Sequence, residues 1–157
     1  MANLGSAAMQ VREDRAIYRA IKILETRFKD DNANVISSPN AVKDYLRLLL
    51  SSEEREVFTV ILLDAKNRVI DAKGLFYGTL SETSIYPREV VIYALKHNAA
   101  AVILAHNHPT GNAKPSKADM LMTEQLKEVL ALVDVKVLDH IIVAERVTLS
   151  FLEMGLL

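Results

Sequence analysis

The most restrictive feature of this chain is the way one apolar run stops. Ala99 to Ala105 are seven consecutive apolar residues, and they end on His106-Asn107-His108-Pro109. A short, unbroken apolar run of this kind is the mark of a strand covered on both faces. A covered strand requires layers on either side of a sheet, and the order of elements along the chain (helix, helix, hairpin, helix, strand, helix, strand) argues for an α/β layered domain with a mixed sheet. The run also places two histidines at the strand's mouth. Side chains at i and i+2 of an extended chain point the same way, so His106 and His108 can face one ion while Asn107 points elsewhere.

The text that follows supplies a third ligand. Pro109-Thr110-Gly111-Asn112 turns the chain, and a run of helix formers extends from Lys117 to about Leu132. Ser116 and Asp119 stand as N-cap and N3 of that helix, the spacing of a capping box. Asp119 therefore belongs to the first helical turn, within reach of the histidines if the turn folds back. Two imidazoles and one carboxylate make a ligand set for zinc, whose catalytic sites take three protein ligands and keep a fourth position for water.

The rest of the chain reads as alternating helices and strands. Met1 to Gln10 is a loose end. Arg12 to Phe28 is an amphipathic helix with Ile17, Ile21, Leu24 and Phe28 on one stripe, and Asp30 to Asn34 is a linker. Ser38-Pro39 offers an N-cap and a proline at N1 for a helix reaching about Leu50, with Tyr45, Leu46 and Leu49 inward. Val57 to Leu63 and Arg68 to about Leu75 form a hairpin around Asp64-Ala65-Lys66-Asn67, followed by a looser segment to Ser84. Pro87 opens a helix ending near His97-Asn98. After the metal loop and its helix, Val135 to Val143 is a strand and Val147 to Leu149 a short one. Ser150 to Leu157 is expected to be a terminal helical turn with Glu153 completing a capping box.

His-x-His, ten residues, then Asp, with Ser three before it, resembles the JAMM motif of the JAB/MPN metalloproteases. Tyr86-Pro87-Arg88-Glu89-Val90, Asn98-Ala99-Ala100, His106-Asn107-His108-Pro109 and Leu138-Asp139-His140-Ile141-Ile142-Val143 narrow the likeness to the RadC family, in its short prophage-type form. The resemblance covers about Val35 to Leu157 and implies a JAB/MPN domain there, with residues 1–34 as an N-terminal tail and helix. It implies a three-layer α/β/α sandwich with a mixed β-sheet, the architecture also seen in cytidine deaminases. Longer RadC proteins carry a helix-hairpin-helix region ahead of this domain, for which 157 residues leave no room. Thr110 departs from the Ser of many relatives, and no chemistry depends on it.

The resemblance further implies a hydrolase of peptide or isopeptide bonds with one zinc per chain on His106, His108 and Asp119. The general base in such proteins is an upstream Glu. Glu53, Glu54 and Glu56 are the candidates, and Glu56 fits the family pattern, since Glu56-Val57-Phe58 leads to Leu63-Asp64. Ser116 occupies the position whose hydroxyl helps to polarise the scissile carbonyl in the family, or it only caps the helix. His140, with Asp139, reads as a structural or supporting residue rather than a ligand.

Composition bounds the alternatives. The formal net charge is −1 with no basic cluster, so strong nucleic-acid binding is not expected. The chain contains no cysteine, which rules out thiolate zinc sites and the paired cysteines of zinc deaminases. The letters His-Asn-His do not make an HNH nuclease, whose residues are spread over a ββα unit. Two competing readings remain: a non-catalytic MPN scaffold, though such modules usually lose their ligands, and an accessory role in DNA repair. No apolar run is long enough to cross a bilayer and no secretory signal is visible, so the expected place is the cytoplasm and the expected partner a peptide or protein substrate.

Overall fold

The computed structural model describes residues 4–29, 39–78, 84–145 and 147–157. Four helices and five strands follow in the order α1 (Leu4–Lys29), α2 (Pro39–Leu50), β1 (Val57–Leu63), β2 (Val69–Tyr77), α3 (Pro87–Lys96), β3 (Ala101–Asn107), α4 (Lys117–Ala131), β4 (Lys136–Ala144) and β5 (Val147–Ser150). The strands form one mixed sheet in the order β2-β1-β3-β4-β5. Only β3 and β4 run parallel; the other neighbours are antiparallel.

The apolar run is the central strand. All seven residues of β3 are buried, as are all seven of β1 beside it. Alternation sorts their side chains onto two faces. Val57, Ile61 and Leu63 of β1 and Ala101, Ile103 and Ala105 of β3 meet Val42, Tyr45, Leu46 and Leu50 of α2. Phe58, Val60 and Leu62 of β1 and Val102 and Leu104 of β3 meet Val90, Tyr93 and Ala94 of α3 and Leu126 and Leu130 of α4. Helices therefore cover both faces, and the expected three-layer α/β/α sandwich with a mixed sheet is the fold.

Several boundaries differ from those the sequence predicts. The strand β3 begins at Ala101 rather than Ala99 and takes in His106 and Asn107, because Asn98 adopts a left-handed conformation (φ 56°) that ends the α3 turn and delays the strand. The strand β2 runs on to Tyr77, since its pairing with β1 continues through Phe58↔Phe76 and Val57↔Tyr77. Helix α1 starts at Leu4 rather than near Arg12; Ala7, Ala8, Met9 and Gln10 are good helix formers and extend it. Ile21 and Leu24 pack on the α2-side core, whereas Ile17 of the same stripe is exposed. The C-terminal residues form turns rather than a helix. The Glu153 amide donates to Ser150 Oγ (3.1 Å), but the Glu153 carboxylate pairs with Lys43 of α2 (2.5 Å) instead of closing a capping box. The expected linker at 30–34, the boundary at Val35 and the Ser38 cap lie outside the described residues.

Candidate metal centre

The site lies where β3 ends. The histidine parity holds: His106 is 1% exposed and turns to the α4 face, stacked on Phe58, its register partner in β1 (ring centroids 6.2 Å apart). His108 follows one turn of the pleat later, half-buried. Its amide donates to Val143 O of β4 (2.8 Å), which holds the loop's first residue against the sheet. Gly111 then bends the chain with φ 79° and donates to His108 O (3.0 Å). A side chain there would be strained by that backbone conformation and would meet Glu145 Oε1 at 3.0 Å.

The turn delivers α4 as expected. Ser116 is its N-cap: Asp119 N donates to Ser116 Oγ (3.0 Å), and Ser116 N donates to Asp119 Oδ2 (2.7 Å). Both halves of the capping box are therefore made. The same carboxylate faces the histidines, with Oδ1 3.2 Å from His106 Nε2 and Oδ2 3.4 Å from His108 Nε2. The two Nε2 atoms are 2.9 Å apart. One ligand atom from each residue falls within 4.8 Å of the others, so His106, His108 and Asp119 form a group that could hold a metal ion.

The chemistry of these atoms fits a cation. His108 Nδ1 lies 2.7 Å from Asn112 O, and a carbonyl can only accept. Nδ1 therefore carries the proton, and the neutral ring presents a lone pair at Nε2. Asp119, when ionised, also only accepts. Burial works against the Asp119 charge, but the neighbouring His106 and His108 rings and the Ser116 backbone N–H outweigh it and hold the carboxyl well below its usual range. The Asp119 partner in turn raises the His108 pKa, against an opposing effect of burial. An ionised carboxylate and imidazole nitrogens that converge on one point are the deprotonated donors that a divalent ion requires.

Behind the ligand group sits a polar layer in which His140 has the supporting place the sequence suggests and Thr123 is a member that the sequence does not single out. His140 of β4 is fully buried, and burial pushes its pKa well down. Its Nε2 is 2.8 Å from His106 Nδ1, and its Nδ1 is 2.7 Å from Thr123 Oγ1 of α4. His140 thus touches a proposed ligand directly. Asp139 plays a structural part. It accepts from His140 N (2.7 Å), Leu152 N (3.0 Å) and Ser150 Oγ (2.6 Å), tying β4 to β5 and the C-terminal turns.

Asn107 points away from the histidines, as its parity requires, and clamps the segment before β1. Its Oδ1 accepts from Val57 N (2.7 Å), while its Nδ2 donates to Arg55 O (2.9 Å) and Glu53 O (3.2 Å). One buried amide therefore fixes residues 53–57 against the end of β3. Glu56 lies in this clamped segment, partly buried, and its charge contributes to the raised pKa of His108. Glu53 and Glu54 are exposed and line, with Pro109 and Thr110, an open cavity of about 490 Å³.

A His-His-Asp group that could hold a metal ion stands at the end of a central strand of a mixed α/β/α sandwich, which defines a class of domain. Residues 36–156 match the family model described as RadC-like JAB domain, and the chain belongs to that family. It is 56% identical over 138 residues to a UPF0758 protein of Nitrosospira multiformis, covering 88% of this chain and 61% of the relative. It is 60% identical over 128 residues to one of Aromatoleum aromaticum, covering 81% and 57%. With one of Dechloromonas aromatica it shares 62% identity over 122 residues, covering 77% and 54%. The chain thus spans little more than half the length of these curated relatives. No described helix is long and apolar enough to cross a membrane.

Proposed function

We propose that this chain is a zinc-dependent hydrolase that cleaves a peptide or isopeptide bond of a protein substrate with a metal-activated water. The observation that carries the reading is the convergence of His106 Nε2, His108 Nε2 and the Asp119 carboxylate at the mouth of β3. One zinc bound there would supply a Lewis acid that polarises a carbonyl and lowers the pKa of a water towards about 7.

The protein's own residues supply the proton chemistry in this reading. Glu56 takes a proton from the attacking water as the carbon–oxygen bond forms, and returns it to the amine nitrogen as the carbon–nitrogen bond breaks. Its support over Glu53 and Glu54 is that it is partly buried and that its charge acts on His108. Ser116 Oγ accepts from Asp119 N, which leaves its hydrogen to donate to the carbonyl oxygen as negative charge gathers there. The division into an appended segment 1–34 and a hydrolase domain 35–157 belongs to the same reading. So does a cytoplasmic location, which suits a chain without cysteine. With a net charge of −1, DNA binding should be no tighter than the roughly 10⁻⁴–10⁻⁶ M of non-specific complexes at physiological salt.

The test is metal analysis of the purified chain followed by a peptide-library cleavage screen with and without a chelator. Zinc near one per chain and chelator-sensitive cleavage are expected. Glu56→Gln should then lower turnover by about 10²–10⁴-fold, the usual worth of general acid–base catalysis, with zinc content unchanged. Cleavage that persists in Glu56→Gln and is lost in Glu54→Gln would move the base to Glu54. Submicromolar, sequence-selective DNA binding would favour a repair role instead.

A further inference from the structure

Thr123 sits one helical turn after Asp119 and is 3% exposed. Its hydroxyl lies 2.5 Å from Asp119 O and 2.7 Å from His140 Nδ1. A hydroxyl has one proton, and a backbone carbonyl has none to give. Two oxygens this close repel unless a proton lies between them, so the Thr123 proton goes to Asp119 O. Towards His140 the hydroxyl is then an acceptor, and His140 Nδ1 must carry a proton.

The direction propagates. Among the described residues the His140 ring has two hydrogen-bond partners, and neither is a carboxylate. A buried imidazolium without a charged partner is strongly disfavoured, so the ring is neutral and its Nε2 is a lone pair. That atom is 2.8 Å from His106 Nδ1, which must donate. A neutral His106 protonated at Nδ1 leaves Nε2 bare, and Nε2 is the atom that faces His108 and Asp119.

We infer that Thr123 is a positioning residue that selects the metal-binding tautomer of His106 through His140. The relay runs in one direction, from His106 Nδ1–H to His140 Nε2, from His140 Nδ1–H to Thr123 Oγ1, and from Thr123 Oγ1–H to Asp119 O. It is anchored at a carbonyl and cannot be reversed. It also closes on itself, since it begins on one ligand and ends on the backbone of another. Hydrogen bonds of this kind set the tautomer and ring orientation of metal-binding histidines. The inference rests on the reading that His106, His108 and Asp119 bind a metal.

The test uses the full chain labelled with ¹⁵N at the histidine rings. In the metal-free protein, at a pH above the histidine range, long-range ¹H–¹⁵N spectra should show both His106 and His140 protonated at Nδ1 and bare at Nε2. An Nε2–H form of either ring in the wild type overturns the inference, and this measurement needs no variant to fold. Thr123→Val keeps the shape and removes the acceptor. It should disturb both tautomers and weaken zinc binding, measured by chelator competition, by about 10–100-fold. Thr123→Ser should restore both. Wild-type tautomers and wild-type zinc affinity in folded Thr123→Val would also overturn it. The assigned tautomers in a wild type that binds no zinc would sustain the relay while removing the metal reading.

Discussion

The two faces of the sheet share their strands and differ in the buried polarity that their cores hold. On the α2 face the buried amide of Asn107 bonds at the strand's end, but the core itself is almost entirely hydrocarbon, and the one buried side-chain hydroxyl of β1, that of Thr59, has no hydrogen-bond partner among the described residues. On the α4 face the buried polar groups are joined: His106 to His140, His140 to Thr123, Thr123 to Asp119. Buried polar groups cost free energy unless paired. The α2 face therefore holds the sheet in shape by apolar burial. The α4 face holds atoms in particular orientations, which only directional bonds can do. The difference teaches where substitutions should damage stability and where they should damage a site.

The sharpest way to break the comparison is a cavity on the α2 face. Leu46 is fully buried against β1 and β3, so Leu46→Ala should cost about 2–5 kcal/mol in denaturant unfolding. Zinc affinity of the remaining folded protein should be unchanged; a large loss of affinity would show that the faces are not separable. The converse variant is His108→Ala. Structural zinc binding of roughly 10–16 kcal/mol shared over four ligands leads us to expect an affinity loss of about 10²–10³-fold, with little change in the stability of the metal-free chain. Titration against a competing chelator checks it, and undiminished binding would relocate the site.

The same change made on both faces sharpens the contrast further. Thr123→Val strands the His140 Nδ1–H and should destabilise by about 1–3 kcal/mol. Thr59→Val removes a hydroxyl that has no partner among the described residues and should be neutral or stabilising by about 1 kcal/mol. Equal effects in parallel melts would deny that the faces differ. The smallest effect is at the rim: Ser116→Ala removes a cap worth about 1 kcal/mol, and Ser116→Asn should retain most of it. If Ser116→Ala alters only stability once a substrate is found, capping is its whole role.

The legibility of these features follows from their range. His106, His108 and Asp119 can be read because strand parity and the capping box are local rules, and both hold here. The apolar layers can be read from periodicity for the same reason. Glu56 stands out only through the family pattern, since nothing in Glu53-Glu54-Arg55-Glu56 says which carboxylate is turned inward. Asn107 can be placed on the opposite side but not given a role, because its partners lie 50 residues away or more. Thr123 is one polar residue on a helix, and its meaning depends on His140, 17 positions later. Even β2 and α1 exceed their expected ends, because pairing partners and tertiary packing decide where elements stop.

The parallel pairing of β3 and β4 has a consequence for how the molecule acquires its chemistry. A parallel pair needs a crossover, and here α4 is that crossover. The three proposed ligands and both relay residues all come from the single unit β3–α4–β4, residues 101–144. Glu56 comes from outside it and arrives only when β1 docks along β3 and Asn107 seizes the segment ahead of it. A chain that had built the crossover alone would already possess a trap for the ion, yet would lack the group assigned to proton transfer. On the proposed reading, capture and reactivity therefore draw on separate parts of the fold, and Asn107 is the latch that joins them.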